Sequence, residues 1–409
     1  MRSVIAISLL GAMLGAVAAP AVAGSRFLYL PDRSSIAVPS ALAARPGGGG
    51  RVAGWTGDGT PVTTSVYAQF SPAAIPDGAG GAIAAWIENR AAGWDVCATR
   101  LDPNGDRVSG WAADGVALCA TDSNEIAVQI VRDALGGAFA LIMQSGSGGK
   151  THAVAQHVNA SGAIVSGWPA NGIQLADDVL GAGVVDTNDG FLLMGWGDPT
   201  GQIYVRRLTG AGANAPGWSS TPLAVGSTAA SNGEVAATSD GAGGAYIAWF
   251  EGSSLMLTRV AAGGGFASGW TAAGWHVRDV SPAGTGIAVE RLTGGDALVC
   301  WEDLRSGTSR DIYAMRIGSN GVPDAGWPVG GIAVITGAGD QTQPHAVSDA
   351  TGGAIVEWNN GGSSLVAQRV TSSGSFFAGW PAAGRTLCTG VNPKSESQFA
   401  ISDDAGGAI

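Results

Sequence analysis

Charged residues and cysteine are scarce in this 409-residue chain, and each scarcity closes off a class of function. Asp, Glu, Lys and Arg make up 13% of the residues, Lys and Arg never cluster, and the formal net charge is −11. A chain without a basic patch has no electrostatic footprint for nucleic acid, so no nucleic-acid partner is expected. Its acidity argues for solubility and leaves cations as conceivable partners. The four cysteines, Cys97, Cys119, Cys300 and Cys388, form no C-x-x-C pair. That excludes a zinc knuckle and a thioredoxin-like motif. Cys119 and Cys388 each stand eight residues after a Trp, far apart along the chain. Buried free thiols are therefore expected, although export would permit disulfides.

Other absences narrow the field further. The four histidines are His152, His157, His276 and His345. His152 and His157 are an odd number of residues apart on one predicted strand, so they point to opposite faces and cannot share a metal. No nucleophile elbow, zinc-protease or phosphate-loop pattern occurs. Beyond the N-terminus no apolar run of 18 residues lacks Gly or charge, so no membrane span is expected. No segment sustains a 3.6-residue apolar period, which excludes helical repeats.

What is present begins with a secretory signal. Arg2 opens it, Val4 to Ala18 is its apolar run, and Ala21-Val22-Ala23 supplies a small-x-small cleavage pattern. Residues 1–23 are thus expected to be removed, leaving residues 24–409 as a secreted or cell-surface protein. That remainder exceeds what one hydrophobic core supports, so it must be several domains or a repeat array.

A repeat is visible. A Gly-Trp pair recurs at Trp55, Trp111, Trp168, Trp218, Trp270, Trp327 and Trp380, at intervals of 50 to 57 residues. Such a period marks propeller blades. Residues 343–388 show the unit. Piece A is residues 343–349, piece B is 354–358 and piece C is 365–370. Piece D begins at Gly379-Trp380 and runs into Cys388. Each is short, apolar or β-branched, and bounded by Gly, Asp, Asn or Pro, as strands are. A basic residue ends piece C eleven residues before the Trp of each of the six complete repeats: Arg100, His157, Arg207, Arg259, Arg316 and Arg369. A constant C–D hairpin fixes strand pairing, because a one-residue slip would invert every side chain.

The expected fold is all-β: a single β-propeller of about seven four-stranded blades, with six or eight as alternatives. Residues 40–45 resemble piece C and Gly54-Trp55 begins a piece D, while Ser397 to Ile409 supplies a piece A and the start of a piece B. The N-terminal strands are therefore expected to join the C-terminal blade and close the ring, burying both edges. By analogy with Trp86, Trp249 and Trp358, piece B should continue past Ile409, so the chain reads as truncated within a blade.

The runs Trp301-Glu302-Asp303-Leu304-Arg305-Ser306-Gly307 and Asp311-Ile312-Tyr313-Ala314-Met315-Arg316 resemble repeats of secreted bacterial proteins. So do Ser239-Asp240-Gly241-Ala242-Gly243-Gly244-Ala245 and Gly167-Trp168-Pro169-Ala170-Asn171-Gly172. Those proteins carry tandem SDGxGGAIVAWxDxRxGxxDIYAQR repeats. The resemblance covers about residues 50–409 and implies a propeller fold and export; that group carries no catalytic residue to transfer. The second and third repeats depart from the pattern, with Ile142 in the Trp slot and Asp189-Gly190 in place of Gly-Gly.

Candidate chemistry lies two residues after the Trp slot of piece B, at Glu88, Gln144, Asp198, Glu251, Asp303 and Asn360. Acids and amides also line the D–A loops: Asp122, Asn124, Glu125, Asp177, Asp178, Asp279 and Asp340. Repeated oxygens on one face could hold Ca²⁺ or bond sugar hydroxyls; otherwise no cofactor is expected. Equally, each could cap its own hairpin or meet a nearby Arg. The Asp before each Gly pair (Asp77, Asp240, Asp349, Asp403) reads as a turn former, and the basic residues ending piece C as partners of acids. Residues 102–106 hint at a calcium loop, but Arg107 and Ala113 stand where Gly and Glu are required.

The expected function is a monomeric, exported, non-catalytic binding or surface module offering polar loops to a glycan or protein. An extracellular polysaccharide hydrolase using Glu88, Asp303 or Glu251 is the alternative, and a structural envelope protein the third reading. Acids converging from several blades on a central pocket would mark the enzyme. Acids tied to their own turns would mark binding or structure.

Overall fold

The computed structural model describes residues 61–389, apart from 91–92, 188, 228–234, 281–285 and 308. These residues form six four-stranded antiparallel sheets, each a simple meander of four consecutive strands. Blade one comprises Ala68–Pro76, Ala82–Arg90, Gly93–Leu101 and Val116–Cys119. Blade two comprises Glu125–Arg132, Ala138–Ser145, Thr151–Val158 and Ile173–Ala176. Blade three comprises Gly181–Asp186, Leu192–Gly197, Ile203–Leu208 and Leu223–Val225. Blade four comprises Val235–Ser239, Ala245–Glu251, Ser254–Val260 and Trp275–Asp279. Blade five comprises Ile287–Arg291, Ala297–Asp303, Asp311–Ile317 and Ile332–Ile335. Blade six comprises Gln341–Ser348, Ala354–Asn360, Ser364–Val370 and Arg385–Thr389. The four strands of each blade are called A to D in chain order. The only helical element among the described residues is a single 3-10 turn at Ser147–Gly149.

The blades stack in chain order. Strand A of each blade packs against strand A of the next, so the A strands form the inner layer. Each of the five junctions between successive blades holds its own apolar cluster. The alternating side chains of each strand point to the two faces of the sheet, and in blades two to five both faces meet a neighbouring blade. Trp86, Trp249, Trp301 and Trp358, the Trp slot of strand B, are fully buried there. A glycine four residues after the hairpin Trp makes room for that ring. A Cβ on Gly274 would lie 2.5 Å from Trp249 Cη2, and Gly274 also has a φ of +73°, a conformation that side chains other than glycine rarely take.

Three expectations need correction. The described residues hold six blades, not seven; the pieces assigned to a further blade, residues 40–55 and 397–409, lie outside them, as does the leader at 1–23. The six sheets form an open series rather than a closed ring, with no A-strand junction between blade six and blade one comparable to the other five. Finally, Gly-Trp does not open strand D. It sits in the C–D hairpin, and strand D of blade six starts only at Arg385. At the start of the series, Val62 is buried against Trp86, Cys97 and Leu101 of blade one.

Candidate functional site

The meander gives the blades two different ends. A–B turns and C–D hairpins share one; B–C loops and D–A connections share the other. At the A–B/C–D end, one arrangement recurs. Asp77, Asp240 and Asp349 each accept backbone N–H bonds from the residues two and four positions on, at 2.8–2.9 Å. These bonds fix the A–B turn as an Asx-type turn. The second carboxylate oxygen takes the basic residue that ends strand C: Arg100 on Asp77, Arg259 on Asp240 and Arg369 on Asp349, at 2.8–3.0 Å. Asp133 takes His157 in the same way. In blades three and five the acid has moved along the turn to Asp189 and Asp296, and Arg207 and Arg316 still reach it.

The same basic residues cross to the next blade. Arg100, Arg207, Arg259 and Arg316 donate to the carbonyls of Ala160, Ala262, Ser319 and Ser372, at 3.1–3.4 Å. Each carbonyl also accepts the hairpin indole: Trp111 Nε1 reaches Ala160 O, and Trp218, Trp270 and Trp327 reach the other three, at 2.8–3.0 Å. Acid, base, indole and carbonyl therefore form a lock across each of these junctions. Burial would raise the carboxyl pKa of Asp349. The N–H and hydroxyl of Thr351, Arg369 and the N–H of Gly353 outweigh it and hold the group below its ordinary value.

The six candidate residues sit at the other end, and the structure does not bring them together. Side chains two apart on a strand share a face, so the residue after next from the buried Trp also turns inward. Glu88 is fully buried and accepts from Arg90 Nε at 2.7 Å and Gln69 Nε2 at 3.1 Å. Burial would raise its pKa, but bonds from Ser65, Arg90 and Gln69 bring it below the usual value. Asp303 is buried, accepts from Trp301 Nε1 at 3.0 Å and Arg305 Nε at 2.7 Å, and lies 3.6 Å from Arg278 of blade four. Its pKa is likewise lowered, against burial, chiefly by Arg305 and Trp301. Asp198 caps its own turn through the N–H groups of Thr200 and Gln202, at 2.9 and 3.0 Å. Glu251 accepts from Ser227, and Asn360 from Gln341 at 3.3 Å. Gln144 donates to Thr121 at 2.6 Å and to Glu125 at 3.0 Å. Glu125 is itself buried with Oε2 unpartnered; desolvation raises its pKa, only partly offset by Cys119, Thr121 and Gln144. Every acid of the set is thus engaged within its blade or by the adjoining one. Among the described residues no three His, Cys, Asp or Glu side chains gather as metal ligands.

The loop at residues 102–106 and the cysteines are structural. Asp102 caps the hairpin at residues 102–106 through the N–H groups of Asn104 and Asp106; it is a turn and not a calcium loop. All four cysteines are free; Cys97, Cys119 and Cys300 are buried, and Cys388 is exposed. Burial pushes the Cys97 thiol up to about 12, which leaves it protonated and inert.

At the outer rim of the B–C/D–A end, blades two and four each carry a polar trio centred on an exposed Asp. In blade two, the ring of His152 lies 3.9 Å from Asp177, and Gln174 donates to the same Asp177 oxygen. In blade four, Asp279 accepts from Ser254 Oγ at 2.7 Å and sits 2.9 Å from His276 Nε2. The two trios occupy identical repeat positions: five residues before the base that ends strand C, and six and nine residues after the hairpin Trp. The Asp side chains are 81% and 72% exposed. His276 first, then Ser254, hold the carboxyl of Asp279 below its ordinary pKa. The signal available in the sequence was this shared offset of Gln174 with His276 and of Asp177 with Asp279.

No family model matches the chain, and no curated protein does. Among solved structures the chain is similar to the BP39L lectin of Burkholderia pseudomallei, with a TM-score of 0.45 and 12% identity over 80% of this chain and 86% of that one. It is similar to the fungal lectin of Aleuria aurantia, described as a six-bladed β-propeller, with a TM-score of 0.35 and 14% identity over 74% of this chain and 94% of that one. It is also similar to oligopeptidase B of Leishmania major, with a TM-score of 0.45 and 14% identity, spanning 77% of this chain but 42% of that one.

Proposed function

We propose that this chain is an exported, non-catalytic binding module whose B–C/D–A rim takes a hydroxyl-rich ligand, a glycan before a protein. The observation behind this is the pair of rim trios with exposed carboxylates, His152, Gln174 and Asp177 in blade two and Ser254, His276 and Asp279 in blade four. Each presents donors and acceptors already oriented by one another, which lowers the entropic cost of engaging a sugar hydroxyl. The acids of strand B are committed to Arg, Gln, Ser or their own turns, which favours binding or structure over hydrolysis by the criterion set out from the sequence. The likeness to secreted bacterial repeat proteins supports export on the same footing. A glycan array probed with the refolded chain, with and without Ca²⁺, tests the reading. Binding to a defined set of glycans supports it. An array without signal in either condition sinks it.

A further inference from the structure

Four of the junction locks close through Arg, and one closes through histidine: His157 stands in blade two where the other blades carry Arg. Its two ring nitrogens face two acceptors. Nε2 lies 3.1 Å from Asp133 Oδ2, and Nδ1 lies 2.8 Å from the carbonyl oxygen of Gly210 in blade three. A carbonyl can only accept. Asp133 is committed to acceptance too, with its other oxygen taken by the N–H groups of Leu135 and Gly137 at 2.7 Å. Both nitrogens must therefore donate, which only the imidazolium can do. The ring is buried, stacked on Phe139 with centroids 4.0 Å apart and edge-on to Trp168, whose indole donates to the same Gly210 oxygen. Among the described residues, Asp133 is the charged group that faces it. Arg100 of blade one binds Gly136 O of the same turn, and the adjoining blade three carries the Arg207–Asp189 pair.

We propose that the junction of blades two and three is a pH-sensitive element of the array, fastened while His157 is doubly protonated and loosened when it gives up a proton. A neutral ring keeps one N–H and turns a lone pair toward an acceptor, so either the turn bond to Asp133 or the cross-blade bond to Gly210 is lost. The locks built on Arg100, Arg207, Arg259 and Arg316 cannot respond, because guanidinium does not deprotonate in this range.

Hydrogen exchange of the full chain, corrected for intrinsic rates, tests this between pH 5.5 and pH 8. Segments 151–158 and 209–215 should lose protection about tenfold as pH rises, the loss of one hydrogen bond to a charged group. Segments 259–267 and 316–323, at Arg locks, should hold level. The step should coincide with the His157 imidazole titration followed by NMR on the wild-type chain, and His157→Arg should abolish it. Level exchange in segments 151–158 and 209–215, a step of equal size at the Arg locks, a midpoint away from the imidazole titration, or a step that survives His157→Arg would each overturn the proposal.

Discussion

The A–B/C–D end of the blades and the outer rim of the opposite end use the same kinds of residue to opposite purpose. At the A–B/C–D end, Asp and Arg are buried against each other and reach across to the next blade. At the outer rim of the other end, Asp177 and Asp279 are largely exposed and bonded only to their immediate neighbours. The difference follows from position along the strands. A residue ending strand C points at the following hairpin, where a carbonyl of the next blade waits. A residue at or just past the end of strand D, the outermost strand, meets water. Where an acid is buried between partners, removing one member strands the other, so that end carries stability. Where it is exposed, the pair is worth little to the fold and is free to serve a ligand.

Three substitutions would break or sharpen this contrast. The largest effect should come from Asp240→Ala. It removes the cap of two N–H groups and leaves Arg259 mostly buried without its carboxylate. A loss of about 3–5 kcal/mol in denaturant unfolding is expected; a loss below about 1 kcal/mol would mean that the lock is dispensable. Next is Gly195→Ala in strand B of blade three. The residue borders a small apolar void lined by Val185, Leu193, Val205 and Ile247, and an added Cβ would meet nothing closer than 3.4 Å. Filling it while removing a strand glycine should stabilise by about 1 kcal/mol, read as a higher thermal midpoint. The smallest is Glu125→Gln. The folded pKa of Glu125 is raised, so the folded state holds its proton more tightly than the unfolded state does. Its ionised form therefore weakens the fold above the ordinary carboxylate range, and the penalty fades as pH falls through it. Glu125→Gln should be more stable than wild type at pH 7, with the gap closing toward pH 4. Asp349 behaves oppositely: its lowered pKa contributes stability that is complete at neutral pH and is lost as pH falls through the folded value. A gap for Glu125→Gln that widened in acid would contradict the burial account.

Much of this architecture was legible from residue offsets. The constant eleven residues between the base ending strand C and the hairpin Trp correspond to C–D hairpins of one geometry. The Asp before each Gly pair was readable as a turn former, because Asx turns are local. Its pairing with the strand-C base was not readable as a specific contact, since Asp240 and Arg259 are separated by a full strand B. Blades three and five hide the pattern further by moving the acid to Asp189 and Asp296. The candidate residues Glu88 and Asp303 misled for a simple reason. Polarity at a strand end suggested an exposed loop, but sharing a face with a buried Trp turned both inward onto Arg90 and Arg305. The rim trios went unread because their members come from strand C, strand D and the D–A link, and only the pairing of those strands brings them within reach.

The most direct test joins both readouts in one variant. Asp177→Ala combined with Asp279→Ala removes the carboxylate at the centre of each trio and touches no lock. The double variant should unfold within about 0.5 kcal/mol of wild type while losing the glycan binding of the parent chain. A variant that binds as well as the parent, or one whose stability collapses, would contradict the assignment of recognition to the outer rim and of the locks to the opposite end.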